Sequence, residues 1–235
     1  PCEMDKILKI AKKYKLLVIE DASHALGAKY KNKKIGSISD MTVFSFHPVK
    51  PITTGEGGAI ITNNKKFYEK LKLLRSHSIY KDSKGKNVMV DLGYNYRLTD
   101  VQAALGISQL KKIGRFNKLR RRVVRWYEEE FGDFEDVKLP SELPGIKSSW
   151  HLHIIRTKNE KIRDQLAVYL KNKGIGVNFH YPCVYNHPYY RDLGLKKING
   201  FCDQYEKTTL TLPIYTELNK NQVKYIAKEI KNFFS

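Results

Sequence analysis

Apolar positions along the chain follow two periods, and the alternation between them predicts the elements. Met4, Ile7, Leu8, Ile10 and Ala11 recur at helical spacing, and Leu16 to Ile19 follow as a short unbroken apolar run. A helix over 4–15 and a strand over 16–19 are therefore expected, the strand ending at Glu20-Asp21. Met41 to Phe46 has the β-branched and aromatic composition of a strand buried on both faces, and residues 58–62 form a second run of this kind. Asn63 or Asn64 is placed to cap a helix over 65–77, and Thr99 or Asp100 to cap another reaching about Gln109. Between these helices, residues 78–96 are polar and glycine-bearing, as a loop should be. A longer helical stripe covers about 116–131.

Residues 132–149 carry Pro140, Pro144 and Gly145 and read as the entry to a second subdomain. There, 150–157 alternates like a strand, and 161–173 is a helix closed by Gly174. Strands are expected over 177–181 and 208–212, and a terminal amphipathic helix over 219–234. The pattern predicts an α/β domain with a mainly parallel sheet over 1–131, followed by a smaller α+β domain over 132–235.

Composition narrows the class. Hydrophobic residues at 41% and aromatics at 11% suit a globular chain and exclude a disordered one. No stretch approaches the roughly 18 apolar residues of a membrane span. Cys2, Cys183 and Cys202 are widely separated and show no metal-ligating spacing, which points to a reduced, cytoplasmic compartment and no metal. The formal charge of +19 admits two readings, a patch for an acidic partner or a lysine-rich solvated surface. Most basic residues are scattered, and the one dense run, Arg120 to Arg122 with Arg125, lies in a helical pattern without a nucleic-acid motif. The second reading is the better supported.

The chemistry centres on the link between the two buried runs. It contains His47, Pro48, Lys50, Pro51 and the turn Gly55-Glu56-Gly57-Gly58. The prolines exclude a helix and stiffen a loop that aims the Lys50 amine. A lysine can form a Schiff base with an aldehyde cofactor, and pyridoxal phosphate is the usual one. That cofactor works as an electron sink when an aspartate keeps its ring nitrogen protonated. Asp21 ends the neighbouring apolar run, where open α/β sheets place ligand chemistry, and Ser45 could donate to the cofactor phosphate from the same sheet edge. Glu56 either orients the site or satisfies turn amides. In the second subdomain, His180 and Tyr181 belong to an aromatic and cationic stretch that could hold a nucleotide or serve as packed turns.

Three blocks carry a resemblance: IEDASHALGA (19–28), SDMTVFSFHPVKPITTGEGGAIIT (39–62) and LGYNYRLTDVQAALG (92–106). In this order they resemble the DegT/DnrJ/EryC1/StrS family of pyridoxal-phosphate sugar aminotransferases, which have the fold-type-I aspartate aminotransferase architecture. The resemblance implies Lys50 as the catalytic lysine, with Asp21, His24, Ser45 and Asn95 as cofactor-binding residues. It also implies His180, Tyr181 and Arg97 as substrate-binding residues. Asn95 would reach the cofactor phosphate of a neighbouring subunit, which implies a homodimer with shared active sites. Some members carry their asparagine at the position of Arg97.

Within the family, SFHPVKPITTGEGG is most similar to transaminases of pseudaminic acid biosynthesis. The implied reaction moves an amino group from glutamate to C4 of a UDP-linked 2-acetamido-2,6-dideoxy-4-ketohexose. The alternatives are other 4-keto nucleotide sugars, of perosamine or bacillosamine type, or a non-catalytic basic nucleic-acid-binding or regulatory protein. The family's amino-terminal phosphate-binding helix start has no counterpart in these residues. The chain is therefore expected to be the carboxyl-terminal majority of a longer enzyme and to bind the cofactor weakly or not at all alone.

Overall fold

Helix α1 (Met4–Tyr14) forms on the predicted stripe and ends where Lys15 turns left-handed, its N–H returning to the Ala11 and Lys12 carbonyls. The structure is a computed structural model that describes residues 1–197 and 200–235. It divides into two compact units, 1–117 with 143–149, and 118–142 with 150–235.

In the first unit α1 leads to β1 (Ile19–Asp21), then β2 (Lys29–Tyr30) and β3 (Lys33–Lys34), then β4 (Met41–Ser45) and β5 (Gly58–Ile61). Helix α2 (Lys65–Arg75) starts on Asn64, whose side chain accepts from the Lys66 and Phe67 amides. A short hairpin, β6 (Ile79–Lys81) and β7 (Asn87–Met89), occupies the segment read as loop. Its paired residues include Ile79, Tyr80, Val88 and Met89, mostly exposed, but each strand is only three residues long and neither shows an alternating apolar pattern. Helix α3 (Asp100–Leu110) opens with a capping box between Thr99 and Gln102.

The central sheet has the order β1-β4-β5. β1 pairs with β4 in parallel, whereas β4 and β5 are antiparallel. The remaining pairs among the described strands are also antiparallel, so the parallel expectation holds here only for β1–β4. β4 differs from its reading as a strand buried on both faces. Thr42 and Phe44 are buried, but Met41, Val43 and Ser45 on the opposite face are half-buried. Ile19 and Ile60, which pair with that face, are exposed. An apolar run reports a capacity for burial and cannot name what covers it.

Helix α4 (Ile113–Phe131) is shared between the units, its later turns entering the second through Val123, Val124, Tyr127 and Phe131. The division thus falls inside this helix, whereas the sequence pattern had placed it after 131. The stretch 143–149, with β8 (Ile146–Lys147), belongs to the first unit because β8 pairs with β2. The second unit continues with β9 (His153–Arg156), α5 (Glu160–Asn172), a 3-10 turn (Val184–Asn186), α6 (Pro188–Asp192), α7 (Phe201–Thr208), β10 (Thr209–Leu212) and α8 (Lys220–Phe234). Val223, Ile226, Ala227 and Ile230 give α8 its buried face, against Leu166, Ala167 and Leu170 of α5 in one core. The expected strand over 177–181 reduces to one bridge, Asn178 to Thr211. Pro182 has no N–H to extend a ladder, and the His180 ring takes the Thr211 hydroxyl instead.

Three of the four arginines in the dense run are engaged internally, and Arg125 is exposed. Arg120 is buried and donates to the Trp150, His151 and Ile214 carbonyls. Arg121 forms a two-pronged pair with Glu142 at 2.7 and 3.1 Å, and Arg122 lies over Trp126.

His153 is fully buried, stacks on Tyr127 at 4.5 Å, and finds no hydrogen-bond partner for either ring nitrogen. Burial pushes it down to about 3. Its folded value lies below the unfolded one, so the unfolded chain binds the extra proton as pH falls below about 6.5. Stability is therefore expected to drop by a few kcal/mol between about pH 6.5 and 3. Urea midpoints at pH 7 and pH 4 should separate less in His153→Leu than in the parent. Equal separations would remove His153 from the account.

Candidate active site

The register of the central sheet places the first two polar groups. Asp21 pairs with Val43, and side chains two apart on a strand share a face. Asp21 and Ser45 therefore project from one face, at the carboxyl ends of two parallel strands. The Asp21 carboxylate accepts from the Ser23 hydroxyl at 2.5 Å and the Ser23 amide at 3.1 Å. Those bonds, with smaller contributions from His24 and Lys50, hold Asp21 below the usual carboxylate range. It is anionic at neutral pH. His24 is half-buried beside it, and its carbonyl accepts from the Ser149 hydroxyl.

The link from β4 to β5 is a braced loop. The Phe46 carbonyl accepts from both the Thr54 amide and the Thr53 hydroxyl at 3.0 Å, and the Phe46 amide donates to Gly57. Pro51, Ile52 and Thr54 are buried, and the Lys50 amide donates to the His47 carbonyl. The Lys50 side chain is half-buried. Partial burial lowers its pKa, and the charge of Asp21 opposes that shift. An amine that loses its proton more easily than usual is a better nucleophile and proton acceptor. Lys50 and Asp21 thus sense each other electrostatically.

The Ser45 hydroxyl accepts from the His47 amide at 3.3 Å, which leaves its own proton to donate. Glu56 is exposed and faces His47 at 3.8 Å. Its carbonyl, rather than its carboxylate, braces the turn, accepting from Thr54 at 2.6 Å and Gln102 at 3.1 Å.

Gly57 is required by shape. Its φ is +148°, and a Cβ there would sit 2.5 Å from Thr54 Oγ1 and 2.7 Å from Leu98 Cδ2. Gly57→Ala is expected to cost about 1–3 kcal/mol and to displace the lysine loop. Thermal melts and the reactivity of Lys50 toward an aldehyde probe should both change, and an unaltered melt would contradict the close packing.

The same contact brings the segment before α3 alongside the lysine loop. Asn95 bridges to Ser76, its side chain accepts from the Arg97 amide, and both residues are exposed. Neither Asn95 nor Arg97 shows a contact with Asp21 or Lys50 among the described residues. In the second unit, His180 bonds the Thr211 hydroxyl at 2.7 Å and packs edge-on against Tyr181, which is exposed. Both line a cavity of about 210 Å³ with Arg163, Phe179 and Glu206.

Sequence reasoning did not single out Ser23, Thr54 or Gln102. Ser23 follows Asp21 by two, the spacing of a local side-chain turn, and Gln102 is the third residue of a capping box. Those signals were available; nothing local marks Thr54.

The sequence pattern of the DegT/DnrJ/EryC1/StrS aminotransferase family matches residues 1–231. The chain belongs to this family. It is 44% identical over 230 residues to the UDP-4-amino-4,6-dideoxy-N-acetyl-beta-L-altrosamine transaminase of Campylobacter jejuni, covering 95% of this chain and 60% of that protein. The solved structure of Helicobacter pylori PseC, described as an aminotransferase of pseudaminic acid biosynthesis, superimposes with a TM-score of 0.94 at 34% identity. That match covers 100% of this chain and 64% of the other. A sugar aminotransferase from Streptococcus pneumoniae, solved in its PLP form, matches with a TM-score of 0.92 at 27% identity, over 99% of this chain and 65% of the other. The chain thus spans 60% to 65% of the length of these relatives. These likenesses give the chain the fold of a type-I pyridoxal-phosphate transferase. No helix among the described residues is long and apolar enough to cross a membrane.

Proposed function

We propose that this chain carries the lysine-bearing part of a pyridoxal-phosphate aminotransferase acting on a 4-keto-6-deoxy nucleotide sugar. The observation that carries the reading is Lys50 on its braced loop, within electrostatic reach of Asp21 at the end of the adjacent parallel strand. The donor set suits the cofactor. Lys50 offers an amine of lowered basicity, Asp21 a carboxylate that stays ionised, and Ser45 a hydroxyl with its proton free.

Pyridoxal phosphate supplies a carbonyl to receive the amino group and a ring that spreads negative charge. Lys50 would hold the cofactor through its carbonyl and, as a basic group on the loop, could accept and return a proton. Asp21 would keep the ring nitrogen protonated, while the two Ser23 bonds keep its carboxylate charged and aimed. Ser45 would donate to the phosphate, His24 would pack by the ring, and Asn95 would serve the phosphate of a partner's site. The resemblance further assigns substrate contacts to Arg97 in the first unit and, separately, to His180 and Tyr181 in the second.

The resemblance to UDP-sugar transaminases favours a UDP-linked 2-acetamido-2,6-dideoxy-4-ketohexose as acceptor and glutamate as donor. The assembly we favour is a homodimer with shared sites. Exposed Leu92, Tyr96 and Val101, at 66%, 70% and 80% accessibility, supply apolar surface for it beside Asn95.

The test is half a reaction. The complete gene product, charged with pyridoxamine phosphate, is mixed with UDP-, dTDP- and GDP-linked 4-ketosugars, and return of the aldehyde cofactor is followed by absorbance. Conversion by the UDP-linked N-acetyl sugar ahead of the others is expected, from a protein that sediments as a dimer. Conversion by none sinks the enzymatic reading, and sedimentation as a monomer sinks the shared site.

A further inference from the structure

Helix α3 and the turn before it meet the lysine loop at Leu98, Gln102 and Gly106, a spacing of four that keeps all three on one side. Leu98 Cδ2 would stand 2.7 Å from a Cβ on Gly57, and Thr54 Cγ2 would stand 2.9 Å from a Cβ on Gly106. Between these two apolar contacts lies a polar one, the bond from Gln102 Nε2 to the Glu56 carbonyl at 3.1 Å. We infer that Gln102 is a positioning residue for Lys50, pinning the return turn of the lysine loop to α3. The inference rests on the function proposed above and adds a residue to it.

The Gln102 side-chain amide is used at both ends. Its Oε1 accepts from the Thr99 amide at 3.0 Å and from the Thr99 hydroxyl at 3.1 Å, while the Gln102 backbone amide lies 3.3 Å from that hydroxyl. The capping box thus fixes where the oxygen points, and so turns the nitrogen toward the loop. Glutamate closes a capping box as well as glutamine does, but it would present an oxygen to the Glu56 carbonyl. Of the two, only the amide also serves the loop.

The Glu56 carbonyl is a point from which such a bond reaches the rest of the link. It accepts from the Thr54 hydroxyl at 2.6 Å, and buried Thr54 donates its amide to the Phe46 carbonyl at 3.0 Å. The Phe46 amide and the Gly57 carbonyl, bonded at 2.8 Å, join the two ends of the link. Lys50 lies within this closed loop. The partial burial that lowers its pKa, against the pull of Asp21, therefore depends on the loop staying closed. Slack at Glu56 would expose the amine and return it toward the behaviour of an ordinary lysine.

The test uses the complete gene product, freed of cofactor. Short pulses of formaldehyde and cyanoborohydride over a series of pH values, read by peptide mass spectrometry, give the rate of methylation at Lys50 relative to exposed Lys84. In Gln102→Glu the Lys50 profile should move to higher pH, and borohydride capture of added pyridoxal phosphate at Lys50 should slow by about 10-fold. Its melting temperature should stay within about 3 °C of the parent, since the cap is kept. Thr99→Ala should do the reverse, melting about 2–4 °C lower while the Lys50 profile stays in place. If Gln102→Glu does not fold, Gln102→Met takes its place, having the length without the donor. An unmoved profile with unslowed capture in the Gln102 variant overturns this inference alone. So does a profile that moves equally in Thr99→Ala, because the loop would then respond to the helix and not to the bond. A parent that fixes no pyridoxal phosphate at Lys50 overturns the function proposed above, and the role of Gln102 with it.

Discussion

On the proposed function, replacing Lys50 with alanine is expected to lower transamination by about 10⁴-fold or more, because it would remove both the amine that holds the cofactor carbonyl and the group that moves the proton. The loop should survive the change. Its bracing comes from Phe46, Thr53, Thr54 and Gly57 and from buried Pro51 and Ile52, while Lys50 contributes its backbone amide to the His47 carbonyl, a bond that alanine keeps. Thermal stability should therefore stay close to that of the parent while activity disappears. Borohydride treatment distinguishes the reading from a structural role. It should fix the cofactor to the parent chain and leave Lys50→Ala free of it. Lys50→Arg should behave like alanine, since a guanidinium keeps the charge without a usable nucleophile. Covalent capture by either variant would place the reactive amine on another lysine.

The lysine was legible because its setting is written in residues that act locally. Pro48 and Pro51 exclude a helix, Met41 to Phe46 has the composition of a buried strand, and the glycines at 55, 57 and 58 permit the return. Asp21 was legible for the same reason, as the polar end of an apolar run. What was not legible depends on pairing across long stretches of chain. The antiparallel direction of β5 against β4 is settled by the geometry of a twelve-residue link, and no pattern in β5 itself encodes it. The hairpin at 79–89 has no apolar alternation to reveal it. Residues 177–181 had the composition of a strand, but Pro182 and the His180 bond to Thr211 limit them to a single bridge.

Asp21→Asn is expected to cost about 10²–10³-fold in turnover, or about 3–4 kcal/mol of barrier, with a smaller loss of cofactor affinity. The asparagine keeps size and can still bond Ser23, but it offers the ring nitrogen no charge, so that nitrogen would lose its proton and the ring its capacity as a sink. The native site defends the charge. Two bonds from Ser23 and the nearby positive groups hold Asp21 in its ionised form, so its contribution should persist through neutral pH and fade only under acid conditions, as pH falls through its lowered value. Ser23→Ala removes only the hydroxyl bond and should cost less than about 10-fold at neutral pH, because the carboxylate remains ionised. A cofactor analogue with carbon in place of the ring nitrogen separates this role from simple positioning. With that analogue the parent should fall about as far as Asp21→Asn falls with the natural cofactor, and combining the two should add little. A further full loss in the combination would mean that Asp21 acts on something other than the ring nitrogen.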